Sequence, residues 1–184
     1  MLHWRAMPMC AAKGTQRPHL GAGVYMHVVE TTGGTPKPHY VGKSTNLGRR
    51  WREHVLDWYL YPHEEYAIPE TAEDYLADPV DAINSGRLAQ CLPNRGETMR
   101  AILERTWFCW AEVDNGLLAD IEYVLQEGTK LHWGITAEGW IGDASNRRKP
   151  RTALVIENHL VGPLLQGILP LTLAFRPTAG VEVG

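Results

Sequence analysis

Tyr40-Val41-Gly42-Lys43-Ser44-Thr45-Asn46-Leu47-Gly48-Arg49-Arg50-Trp51-Arg52-Glu53-His54 changes its periodicity half-way along. Up to Gly42 it reads as the end of a strand. Residues 24–30, rich in β-branched and aromatic side chains, read as the strand before it. Residues 31–38 between them carry Gly33, Gly34, Pro36 and Pro38, a turn composition. With 39–42 as the second strand, the two make a β-hairpin. Residues 44–46 then offer helix N-caps. From Leu47 onward Leu47, Trp51, Val55 and Trp58 form one apolar stripe, and Arg50 and His54, four apart, share another face. Pro62 marks the far limit of that helix.

Working outward, residues 1–20 read as an irregular arm or a cover strand, with Pro8, Gly14 and Pro18. Residues 63–105 read as a largely helical insertion, with helices over 71–76, 79–88 and 97–105. The aromatic run 106–113 is the next strand. Asp114-Asn115-Gly116 is a turn, and 117–127 is a helix with Leu118, Ile121 and Leu125 inward, stopped at Gly128. Residues 129–151 read as loop and short strand. Residues 154–175, apolar and broken by Pro163 and Pro170, read as core or a subunit contact.

The 184 residues are enough for one domain with a real core, and 44% apolar with 21% charged residues fits a folded soluble chain. Cys10, Cys91 and Cys109 stand singly, which excludes a disulfide framework and a CxxC zinc site. No run approaches the roughly 18–20 apolar residues of a membrane span, and residues 1–13 lack a signal-peptide core. A cytoplasmic protein with no membrane partner is expected. The net charge of −3 is no argument for a nucleic-acid partner, but its distribution is. Lys43, Arg49, Arg50 and Arg52 form one basic cluster, and Arg147, Arg148, Lys149 and Arg151 form another. Such patches serve phosphate binding more than the total does. An acidic stretch lies between them.

Three motifs mislead. Gly42-Lys43-Ser44 invites a phosphate-loop reading, but the glycine that motif needs five residues earlier is Lys37. Gly21-Ala22-Gly23 begins a dinucleotide fingerprint that fails at Met26. The histidines show no zinc spacing.

What remains is Gly23-Val24-Tyr25, Tyr40-Val41-Gly42, Arg50-Trp51 with His54, and Glu122 on a later helix. In order and spacing this resembles the GIY-YIG nuclease family, firmly over residues 21–58 and loosely over 106–128. The resemblance implies an α+β fold, a small three-stranded antiparallel sheet flanked by helices. Here the core would span about 21–58 and 106–150 of a single domain, with a helical insertion at about 63–105 and a C-terminal extension over 151–184.

The chemistry stands beside the name. Hydrolysing a phosphodiester needs an activated water, a cation beside the developing charge and stabilisation of the leaving oxygen. Arginine presents a permanently charged fork to phosphate. A carboxylate holds a hard ion, Mg2+ or Mn2+, that keeps its waters and bridges to the substrate. A tyrosine relays the water's proton once a nearby cation lowers its pKa. By resemblance Tyr25 is general base or water-orienter, Tyr40 orients phosphate or assists proton transfer, and Arg50 binds the scissile phosphate. His54 supports either, and Glu122 is the metal ligand, favoured over Asp120 and Glu127. Lys43 resembles a family lysine with a phosphate or proton-transfer role. The family's terminal asparagine falls near Gly134, where none stands, so Asn146 is the nearest counterpart. Arg49, Arg52, Arg147, Arg148, Lys149 and Arg151 are expected at nucleic-acid phosphates.

Chain size and the insertion resemble the stand-alone restriction endonucleases of the family. The expectation is a homodimeric, site-specific endonuclease acting on double-stranded DNA. The alternatives are a less specific toxin or effector nuclease, a repair or mobile-element nuclease targeted by a partner, and a binding module without catalysis.

Overall fold

The computed structural model describes residues 1–10, 18, 20–60, 101–136, 141–142, 148–160 and 163–184. Of the expected helical insertion, residues 63–100 lie outside the described residues, and 101–104 are helical. In chain order the elements are β1 (Leu2–Pro8), β2 (Gly23–Glu30), β3 (Pro36–Ser44), α1 (Leu47–Leu60) and β4 (Thr106–Glu112). They are followed by α2 (Leu118–Trp133), β5 (Leu154–Leu160), a 3-10 turn (Pro163–Leu165), β6 (Thr172–Arg176) and β7 (Gly180–Val183).

The expected fold class is corrected here. The sheet is not a small three-stranded one. Among the described residues it has seven strands in the order β3-β2-β4-β1-β5-β6-β7, mixed in direction and curled into a half-barrel, with few helices beside it. The antiparallel trio β3-β2-β4 is one end of it. Residues 2–8, read as an arm, form a strand inside the sheet, antiparallel to β4 and parallel to β5. The physical reason is alternation: Leu2 and Trp4 are buried while His3 and Arg5 are exposed, the period-two pattern of a strand covered on one face. β5, within the apolar run after residue 153, alternates likewise.

β2 is buried from Gly23 to Val29 because a helix covers each face of the sheet there. α1 lies over the face of Tyr25, and α2 over the face of Lys43, the two faces being set by direct pairing of Tyr25 with Gly42 and Val24 with Lys43. Gly23 lets α1 come close: a Cβ there would lie 2.3 Å from the Ala111 carbonyl oxygen and 2.6 Å from Leu47 Cδ1. Asn46 caps α1, its Oδ1 accepting the Arg49 N–H at 2.8 Å.

α2 runs through Gly128, where a stop was expected. A Cβ on Gly128 would meet Leu173 Cδ2 at 2.4 Å, so the glycine is a close-contact point against β6. The helix ends at Gly134, left-handed at φ 63°, with the Ile135 N–H returning to Lys130. Across β1 and β5 the buried Trp4 Nε1 donates to Asn158 Oδ1 at 2.9 Å, and Asn158 Nδ2 donates to the Pro170 carbonyl at 2.8 Å. Among the described residues no helix is long and apolar enough to cross a membrane.

Candidate active site

Tyr25 projects from the middle of β2 towards α1. Its hydroxyl accepts the Arg50 Nε–H at 3.1 Å and lies 2.8 Å from His54 Nε2. The four-residue spacing of Arg50 and His54 puts both on the helix face that meets the strand. Tyr40, from β3, completes the group, its ring 5.9 Å from those of Tyr25 and His54. Gly42 makes room for it: a Cβ there would lie 2.6 Å from Tyr25 Oη and 2.8 Å from Tyr40 Cε1. The tyrosine-x-glycine spacing is therefore a steric requirement of two phenols sharing one face.

On the opposite face of β3, Lys43 Nζ meets Glu122 Oε2 of α2 at 2.5 Å. Glu122 is only 2% exposed, whereas the Lys43 side chain is 36% exposed. One turn along α2, Gln126 Nε2 donates to the Val41 carbonyl at 2.9 Å. Ile141 bridges to Tyr40 and accepts the Val41 N–H. The outer edge of β3 at Val41 is thus closed by α2 on one side and by residues 141–142 on the other. Ile141 has φ 60°, a strained conformation for a β-branched residue. Gly142 follows at φ 96°, where a Cβ would strike Gln126.

The proposed residues therefore fall into two contacting groups, Tyr25–Tyr40–Arg50–His54 and Lys43–Glu122. The strand β3, at the end of the sheet, joins them with Gly42 facing one and Lys43 the other. Asn146 and Arg147 lie outside the described residues. Arg148, Lys149 and Arg151 are exposed. Arg49 pairs with Glu53 at 2.6 Å, and Arg52 donates to the Gly48 carbonyl; neither belongs to the two groups. Glu53 also approaches Arg50 at 3.4 Å.

Burial sets the electrostatics of this group. Burial, with the Tyr40 phenol beside it, pushes the Tyr25 hydroxyl above its ordinary range, against the opposing pull of Arg50. Tyr25 is thus a protonated phenol and not a ready phenolate. His54 is lowered to about 3, first by burial and then by Arg50, so its ring is neutral near pH 7.

Sequence reading missed two histidines. His27 is fully buried, its ring 4.6 Å from His54 and 5.6 Å from both Tyr25 and Tyr40. The signal was present, since residue 27 shares a strand face with residue 25. His39 lies 6.3 Å from His27 because the ladder shifts between His27 and Val28, pairing Tyr40 and then Pro38 and leaving His39 as the extra residue of a bulge. Burial holds both rings in the neutral form.

Which residues fit a metal ion follows from the donor set. Among the described residues no three His, Cys, Asp or Glu side chains are placed to hold a metal ion together, so a metal would have Glu122 as its carboxylate and take its other ligands from water and phosphate. That suits a hard, hydrated divalent ion and not zinc. A buried carboxylate already facing an ammonium is a place where positive charge is favoured. No protein-family model, curated protein or solved structure matches this chain.

Proposed function

We propose that this chain is a divalent-metal-dependent endonuclease of the GIY-YIG type, cutting both strands of DNA at defined sites. The observation that carries the reading is the position of the Tyr25 hydroxyl, held between Arg50 Nε and His54 Nε2. Two elements, the strand β2 and the helix α1, meet there in an arrangement suited to moving a proton beside a fixed positive charge.

The mechanism follows from those contacts. Arg50, 34% exposed, turns its guanidinium edge outward to bind the scissile phosphate while Nε stays on Tyr25. A water beside Tyr25 gives its proton to Tyr25 Oη as the phenol passes its own to the bare Nε2 of neutral His54. The relay avoids a phenolate, and the imidazolium it forms on His54, disfavoured by burial and by Arg50, is offset by the phosphate anion that Arg50 binds. The water oxygen bonds to phosphorus and the bond to the leaving oxygen breaks, that oxygen taking a proton from solvent. Tyr40 borders the same space and orients the phosphate. An ion held by Glu122, across β3 from Arg50, would supply positive charge to a phosphate seated over that strand end. His27 packs against the rings of Tyr25, Tyr40 and His54 and holds them in place. Exposed Arg148, Lys149 and Arg151 are available to the nucleic-acid backbone.

The test is digestion of a long, sequence-diverse DNA with Mg2+, comparing wild type with Glu122→Ala and Arg50→Ala. Discrete fragments absent with both variants support the reading. A smear lost in both variants points to an unspecific nuclease. Fragments that survive both would remove the site assignment, and no cutting by wild type favours an RNA substrate, a targeting partner or a binding module.

A further inference from the structure

We infer that Lys43 is a counter-ion that changes partner. In the free protein it neutralises Glu122, and it releases that carboxylate to a divalent cation when a nucleic-acid phosphate gives it a second anion. The inference rests on the nuclease reading and adds to it a coupling between phosphate binding and metal binding.

Burial makes the argument. A carboxylate as enclosed as Glu122 is costly to leave without a cation, and Lys43 Nζ stands 2.5 Å from its Oε2. A divalent ion of the Mg2+ class binds a carboxylate oxygen at about 2.0–2.1 Å. An ammonium and such an ion cannot both sit against one oxygen, because their charges repel at that range. Occupancy of Oε2 is therefore exclusive, and an ion on the neighbouring oxygen is weakened by the same ammonium.

Lys43 is also the mobile member of the pair. Its side chain is 36% exposed on a flexible four-carbon stem, while Glu122 is fixed within α2. It belongs to β3 one residue after Gly42, which backs onto Tyr25, so a phosphate on Arg50 lies on the other side of the same strand end. A phosphate that attracts Lys43 unblocks Glu122, and by linkage a metal on Glu122 frees Lys43 for phosphate.

The experiment is a titration of Mn2+ into the full chain, followed by the resonance of free Mn2+, with and without a short DNA duplex. It compares wild type, Lys43→Met, Lys43→Arg and Glu122→Gln. Without DNA, Lys43→Met should bind Mn2+ roughly five- to a hundredfold tighter than wild type, the range of an ordinary coupling. Lys43→Arg, which keeps the charge, should stay near wild type. The duplex should tighten Glu122-dependent Mn2+ binding in wild type by more than in Lys43→Met, where phosphate ligation alone contributes and no counter-ion has to be released.

Equal or weaker Mn2+ binding by a folded Lys43→Met would overturn the inference. If that variant does not fold, wild type still decides, since Mn2+ affinity indifferent to the duplex also overturns it. The nuclease reading fails separately, as DNA cleavage that does not depend on Glu122 and Arg50.

Discussion

Tyr25 is where three kinds of constraint meet: strand position, helix contact and the absence of a Cβ on Gly42. Tyr25→Phe removes only the oxygen, so the fold should persist while cleavage falls by about 10²–10⁴-fold, the usual worth of positioned proton transfer. Single-turnover rates beside a melting curve would show it, and an unchanged rate would take Tyr25 out of the mechanism. His54 carries a pH signature. Its folded pKa of about 3 lies below the unfolded value of about 6.5, so between these pH values the unfolded chain binds a proton that the folded one does not. The stability linked to His54 is complete above about pH 6.5 and is lost as pH falls towards 3, by up to about 1.4 kcal/mol per pH unit. Melting temperatures from pH 7 to pH 5 should therefore fall less steeply in His54→Gln than in wild type, whereas parallel curves would contradict the buried, neutral ring. Most of this neighbourhood could be read in advance, because tyrosine-x-glycine and arginine-x-x-x-histidine are local spacings with local geometry. His39 could not, because a bulge is a property of two strands together.

Among the elements, α2 departs most from its sequence pattern. Gly128 reads as a stop, because glycine is a common helix terminator and weakens helix interiors. The close approach of Leu173 overrides that preference, and no pattern within residues 117–134 announces a side chain so distant in sequence. Alanine in place of an interior helix glycine ordinarily gains about 1 kcal/mol. Here Gly128→Ala should lower the melting temperature instead, since the new methyl group enters a packed contact with buried Leu173. Combining it with Leu173→Val should recover part of the loss, and additive effects of the two substitutions would mean they do not touch. The hairpin and α1 were legible because their turns and caps lie within a few residues of the elements they bound.

For the molecule as a whole, the sheet was the part least legible. Residues 2–8 alternate as a strand should, but seven residues do not say with what they pair, and the partner β5 begins at Leu154. The join between them is specific. Trp4→Phe should cost about 1–3 kcal/mol, because Asn158 Oδ1 loses its buried donor while the apolar volume is nearly kept. Denaturant unfolding measures this, and a neutral result would mean that Asn158 finds another donor.

The central place of β1 also sets a timetable. On a ribosome residues 2–8 emerge long before β5, one of their two neighbours in the sheet. Contacts so distant along the chain form slowly, and until they form, one edge of β1 stays open to other chains. Overproduction should therefore reward low temperature, which slows association of open strand edges.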